Sequence, residues 1–142
     1  MKKNRIKRKI MWGDLDPLGV VFYPRYYEWI DGSGHLFFQS IQLNLGNVLK
    51  EHSIIFALLE TGCKYHSPGR YHDQIEIITF IENISDKTIS LRHDIVKSKD
   101  RELMVEGFEK RICLNVSDPL KFKAINIPTD IRDILIKAQS SC

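Results

Sequence analysis

The sequence predicts an α+β fold built as one strand, one long helix and then four strands. Three observations carry that expectation. From Pro24 onward, Arg25, Glu28, Gly32, His35, Gln39 and Gln42 recur at spacings of three and four, a polar stripe along one side of a helix. Residues 74–82 and 88–96 instead alternate with a period of two, which is the pattern of strands. Short turn-forming segments join the later runs, as in an antiparallel meander. A helix laid across one face of a sheet buries both surfaces economically.

Residues 5–11 form the first strand, with Ile6 and Ile10 its clear apolar positions. The segment 12–19 breaks the pattern with Gly13, Asp14, Asp16, Pro17 and Gly19, and Pro17 keeps Asp16 out of the helical region. Pro24 suits the first turn of a helix, where its missing N–H would have had no partner. Tyr26, Tyr27, Trp29, Ile30, Phe37, Phe38 and Ile41 occupy the sides away from the polar stripe, so the helix is expected to be wrapped by protein over most of its circumference. Gly32 and Gly34 each cost a helix about 1 kcal/mol relative to alanine, which suggests close approach by another backbone.

Asn44 to Gly46 should end that helix, with a short second one over residues 47–52. Residues 53–66 read as a strand with a bulge or bend at Gly62. In the next strand Ile75, Ile77, Thr79 and Ile81 share a face, and in the one after it Ile89, Leu91, His93 and Ile95 do. Residues 102–116 supply the last long strand, with Met104, Phe108, Ile112 and Leu114 on one side. Pro128 begins a short C-terminal helix carrying Ile131, Ile134, Leu135 and Ala138 on one face.

The 142 residues are the size of one domain, and 43% hydrophobic with 27% charged residues is a globular composition. The formal charge of +3 is too small to imply a nucleic-acid partner, although the opening KKNRIKRK concentrates the excess. Cys63, Cys113 and Cys142 form no C-x-x-C pair and are odd in number, so the expectation is a reducing, cytoplasmic setting without a disulfide framework or zinc knuckle. No signal-peptide-like run and no apolar stretch of membrane-spanning length occurs, so no membrane role is expected.

The segment 13–26, GDLDPLGVVFYPRY, resembles the signature of the 4-hydroxybenzoyl-CoA thioesterase group of hotdog-fold acyl-CoA thioesterases. That pattern is roughly D-x-D-x-x-G-x-V-x-Y-x-x-Y followed by an acidic helix residue, here Asp31. Residues 65–73, YHSPGRYHD, resemble the same family's connector into its third strand. The resemblance implies a hotdog, a five-stranded antiparallel sheet wrapped around one long central helix, in a single domain over residues 1–142. It also implies homodimers or homotetramers with active sites at a dimer interface.

Thioester hydrolysis needs a group that attacks the carbonyl or activates water, and a donor for the charge that develops on oxygen. By resemblance Asp16 is the catalytic carboxylate, as nucleophile or general base, and the backbone N–H of Tyr23 is the oxyanion donor. An Asx turn ahead of Pro17 is the alternative role for Asp16, and turn or cap chemistry is the expected role of Asp14. Asp31 either borders the acyl pocket or pairs with a neighbouring base. Cations are needed for CoA phosphates; the family's basic triplet is here Ser85, Asp86 and Lys87, so only Lys87 matches, with Arg70 and Arg92 as further candidates.

His93, on an apolar strand face, is expected to be a satisfied core histidine, and His66 and His72 lack metal spacing, so no metal is predicted. Cys63 and Cys113 read as small buried hydrophobes. The expected reaction converts an acyl-CoA to a free acid and CoA, with no cofactor beyond the CoA of the substrate. Alternatives are an acyl-carrier-protein thioesterase and a non-catalytic acyl-CoA or RNA-binding hotdog module. A hotdog dehydratase would need a histidine at the helix entrance, where this chain has Pro24.

Overall fold

A computed structural model describes residues 1–140; Cys142 lies outside the described residues. The chain runs through β1 (Asn4–Lys9), a 3-10 turn (Trp12–Asp14), α1 (Pro24–Ser40) and α2 (Leu45–His52). Then come β2 (Ile54–Tyr65), β3 (Gln74–Ile84), β4 (Thr88–Lys97), β5 (Leu103–Asn115), β6 (Lys123–Ala124) and α3 (Thr129–Ser140). The sheet order is β1-β3-β4-β5-β2, and every pairing is antiparallel. The two-residue β6 extends the end of β5 that β4 does not reach, through Leu114–Ala124 and Asn115–Lys123.

Two expectations change. The sheet has a sixth short strand, and the meander covers only β3 to β5, because β2 lies on the far side of β5 instead of beside β3. The cause is the segment 66–73, which crosses one end of the sheet. Its first amide, His66 N–H, donates to Met104 O at 2.8 Å, and His72 N–H donates to Ile10 O at 3.0 Å. It therefore spans from β5 to the end of β1, and alternation within strands carries no information about that crossing.

α1 buries Tyr26, Trp29, Ile30, Ser33, Gly34, Phe37 and Phe38. These recur as one stripe with helical period, while Glu28, Asp31, Gly32, His35, Leu36 and Gln39 are exposed. The helix is thus covered on one side within this chain, not over most of its circumference. Under its N-terminal half packs a cluster that includes Ile10, Val21, Ile75, Ile77, Ile95 and Met104. A second cluster, with Phe56, Ile81, Ile89, Leu91, Ile131 and Leu135, lies under its C-terminal half and α3. Trp29, Phe37 and Phe56 all belong to this core.

In β5 the buried side is Val105, Gly107, Glu109, Arg111 and Cys113, whereas Phe108 is exposed and Ile112 and Leu114 are half-buried. The face that packs against α1 is therefore the one carrying a carboxylate and a guanidinium. Gly62 is not the bulge: the register slips between Leu58 and Glu60. A Cβ on Gly62 would meet the Phe108 ring at 2.6 Å, so its bareness makes room for that ring.

The helix glycines divide in the same way. A Cβ on Gly34 would stand 2.6 Å from Glu109 Oε1, whereas nothing lies within 4 Å of one on Gly32. The close approach is by a side chain, and only at Gly34. Gly32→Ala is expected to raise stability by about 1 kcal/mol through helix propensity. Gly34→Ala, despite the same propensity gain, is expected to lower it by about 1–3 kcal/mol through overpacking. Thermal melts of the two variants check this reversal of sign.

Candidate active site

The loop ahead of α1 is held by Asp14. Its carboxylate is buried and accepts from Met11 N–H at 2.9 Å, with Arg8 Nη2 at 3.8 Å and Arg25 Nε at 3.7 Å. Its carbonyl accepts from Phe22 N–H at 2.8 Å. Asp14 is thus the framework carboxylate of the pair, as its expected turn chemistry requires.

Asp16 sits in the tighter loop that follows. Its N–H donates to Val20 O at 2.8 Å, and its carbonyl accepts from Gly19 N–H at 2.9 Å. Gly19 takes φ +77°, a conformation that costs glycine little. One carboxylate oxygen, Oδ1, accepts from Leu18 N–H at 2.8 Å and Val20 N–H at 3.4 Å. The Asx turn is therefore present, and it fixes the carboxyl group through Oδ1. Oδ2 has no hydrogen-bond partner among the described residues.

Tyr23 caps α1 with helical backbone angles, and Pro24 follows it at the first helical position. Arg25 N–H donates to Phe22 O at 2.9 Å and Tyr26 N–H to Tyr23 O at 3.1 Å, so the first-turn amides after the proline are satisfied locally. The Tyr23 N–H has no acceptor among the described residues, and the residue is 60% exposed. A free amide at the positive end of a 17-residue helix is suited to an anionic oxygen.

That amide's residue lines a cleft of about 340 Å³, together with Val20, Val21, Tyr26, Tyr65 and residues 66–69. The crossing segment forms its far wall. Val21 N–H donates to Gly69 O at 2.9 Å, Val20 bridges Arg70, and the Tyr26 hydroxyl accepts from Gly69 N–H at 3.2 Å. A side chain at Gly69 would collide with Ile10, Val21 and the Tyr26 hydroxyl, which is why the wall can approach so closely.

Two polar groups that the sequence reading did not assign to the site border this region. Burial pushes the Cys63 thiol and the Tyr65 phenol above their ordinary values. An activated thiol would require the opposite shift. His66 Nε2 lies 2.7 Å from Glu106 Oε2, and Arg92 holds the other oxygen of the same carboxylate. The His66 hydrogen bond, with help from Arg92 and Lys64, holds Glu106 below the usual carboxylate range.

Asp31 is half-exposed and pairs with Arg111 Nη2 at 2.9 Å and with His35 Nε2 at 3.4 Å. Arg111 also binds Glu109 at 2.6 Å and the carbonyl of Phe56 at 3.2 Å. His93 is fully buried, with Nε2 at 2.8 Å from Glu109 and Nδ1 at 2.8 Å from the Thr79 hydroxyl, so both ring nitrogens are satisfied as expected. Glu109 and Arg111 lie off the apolar side of the strand; their sequence signal is a carboxylate and a guanidinium two apart, hence on one strand face.

The fold thus gathers Asp16, Tyr23 and Arg70 in neighbouring segments. It does not bring Lys87 to them. Lys87 lies in the β3–β4 turn, beside residues tied to α3, such as Ile127, whose N–H donates to Asp86 O at 2.9 Å. The loop 66–73 is at the other end of β3, about 35 Å away for a strand of 11 residues.

An antiparallel sheet carrying a helix whose free N-terminal amide opens on a cleft offers a donor for an oxygen that becomes anionic there. Residues 10–135 match the model of the thioesterase-like superfamily, and the chain belongs to that family. It is 24% identical to the 4-hydroxybenzoyl-CoA thioesterase of Pseudomonas sp. (strain CBS-3) over 130 residues, which cover 88% of this chain and 92% of that one. It is 27% identical to a chloroplastic acyl-acyl carrier protein thioesterase of Arabidopsis thaliana over 129 residues, 91% of this chain and 65% of that one.

Among solved structures, a mutant 4-hydroxybenzoyl CoA thioesterase complexed with 4-hydroxybenzoyl CoA superposes with a TM-score of 0.86 at 22% identity, covering 95% of this chain and 99% of that one. A gentisyl-coenzyme A thioesterase superposes at 0.78 with 27% identity, covering 93% and 99%. The fold is of the hotdog thioesterase kind, and the protein is a thioester hydrolase.

Proposed function

We propose that the protein is an acyl-CoA thioesterase that releases a free carboxylic acid and CoA, working as a single hotdog domain over residues 1–142. Asp16 acts on the thioester as nucleophile or general base, and the Tyr23 backbone N–H receives the charge that forms on the carbonyl oxygen. The observation that carries this reading is the Tyr23 amide, unpartnered among the described residues at the opening of α1 and bordering the cleft behind the Asp16 loop. A donor already in place needs no reorganisation when charge develops.

Arg70, whose segment bridges Val20 beside the cleft, is a cation of the same chain that can meet CoA phosphates, and Asp31 borders the acyl group while held by Arg111. Lys87, at the far end of β3, serves this site only from another subunit. Assembly as a homodimer or homotetramer accounts for that distance. It is supported by β2, an edge strand with exposed Leu58 and Leu59, because an apolar unpaired edge favours pairing with a second chain. The same assembly would cover the exposed side of α1 and complete its position as a central helix.

No cofactor is required, because CoA enters with the substrate. No described helix is long and apolar enough to cross a membrane, in keeping with a cytoplasmic enzyme. Acyl carrier protein is the second carrier to consider, given the likeness to the chloroplastic relative. A panel of aromatic, short-chain and long-chain acyl thioesters, each offered on CoA and on acyl carrier protein, tests the reading. Release of free thiol from at least one CoA ester is expected; no release from any would remove it.

A further inference from the structure

We propose that His66, oriented by Glu106, is the general base that activates the hydrolytic water, leaving Asp16 to attack the thioester carbon. The inference rests on the thioesterase reading above and assigns it a second catalytic side chain. His66 lines the same cleft as Tyr23, Val20 and Val21, and the last two end the loop that Asp16 begins. Asp16 itself already accepts two amide hydrogen bonds through Oδ1, which suits a positioned nucleophile.

The imidazole is arranged for proton transfer. Glu106 Oε2 sits 2.7 Å from Nε2, so Nε2 carries the hydrogen and donates it to the carboxylate. Nδ1 is then left with its lone pair, and it has no hydrogen-bond partner among the described residues. A carboxylate that sets the tautomer and steadies the imidazolium is the logic of base activation in hydrolases. Glu106 is itself fixed by Arg92, which also binds Asp94 at 2.8 Å, so the carboxylate stays ionised and in place.

His93 offers the contrast within this molecule. Both of its nitrogens are occupied and it is fully buried, so it has no lone pair to offer a substrate.

The chemistry balances in two steps. The Asp16 carboxylate adds to the acyl carbon, the carbon–sulfur bond breaks, and CoA leaves as the thiolate with the bonding pair, giving an acyl–Asp16 anhydride. Water then adds to the acyl carbon while one of its protons moves to His66 Nδ1. The carbon–oxygen bond to Asp16 breaks and regenerates the carboxylate, and the imidazolium passes its proton to the thiolate.

The charged and titratable groups around the ring and its carboxylate are Glu106 from β5, Arg92 and Asp94 from β4, Lys64 and Tyr65 from β2, Tyr26 from α1 and Tyr23 just ahead of it. The test uses the full chain and the best CoA ester of the panel, with kcat and KM measured across pH for the wild type, His66→Gln, His66→Ala and Glu106→Gln. Each variant is checked for its wild-type oligomer and melting transition. The expected result is an acidic limb in the wild-type kcat profile that disappears in both His66 variants.

Their kcat should fall by about a hundredfold or more with KM within about threefold, as for loss of a general base. Added imidazole should restore part of the His66→Ala rate, and Glu106→Gln should lose about tenfold in kcat. A folded His66→Ala with the wild-type kcat and acidic limb overturns the base role while leaving the thioesterase reading intact. Should His66→Ala not fold, an unchanged profile in Glu106→Gln overturns it equally. A wild type that cleaves no CoA ester in the panel overturns both.

Discussion

Asp16→Asn is expected to lower kcat on the preferred acyl-CoA by about a thousandfold or more while leaving the melting temperature within a few degrees of wild type. The expectation combines two features of the loop. The Asx turn is made through Oδ1, which accepts from Leu18 and Val20 N–H, and an asparagine carbonyl oxygen accepts the same pair. Structure is therefore preserved. What changes is the other atom, Oδ2, which an amide nitrogen replaces with a group that can neither attack a carbonyl nor take a proton from water.

Asp14→Asn makes the informative contrast. Its carboxylate is buried and faces Arg8 and Arg25, so neutralising it weakens the fold of the loop more than the chemistry itself. Thermal stability should therefore separate the two aspartates in one direction and turnover in the other. An Asp16→Asn enzyme with undiminished kcat would remove Asp16 from the mechanism.

The fold was legible wherever a local pattern carried it. The three-four spacing from Arg25 to Gln39 falls on the exposed side of α1, and Ile75, Ile77, Thr79 and Ile81 are the more deeply buried face of β3. The sheet order was not legible, because it depends on where residues 66–73 cross, and their hydrogen bonds to Met104 and Ile10 join segments far apart in the chain. The same limit explains the site. Asp16 and Tyr23 lie within one short motif and could be read together, whereas His66 and Glu106 are 40 residues apart and meet only through the pairing of β2 with β5.

β5 shows a different failure of the hydrophobic criterion. Burial normally selects apolar side chains, but a charge can be buried when its partners are built in around it. Glu109 has two, one at each carboxylate oxygen: His93 Nε2 and Arg111 Nη2. The face of the strand with fewer apolar residues is consequently the inner one.

The largest stability effect follows from that cluster. Glu109→Ala should destabilise the protein by about 3–5 kcal/mol, because it leaves the Arg111 guanidinium in the core without its nearest carboxylate and takes the acceptor from His93. Arg111 Nε already lacks a partner, so the site holds no spare acceptor to compensate. A fall in melting temperature on the order of 10 °C is expected from thermal denaturation. Asp31→Ala should cost about 1 kcal/mol or less, since that carboxylate is more than half exposed and solvent screens the pair. Adding Glu109→Ala to Gly34→Ala gives the cycle that identifies the cause. The Cβ at position 34 collides with Glu109 Oε1, so its penalty should vanish, and its helix-propensity gain reappear, once that carboxylate is gone. Simple additivity of the two losses would mean that Gly34 is required by something other than the carboxylate beneath it.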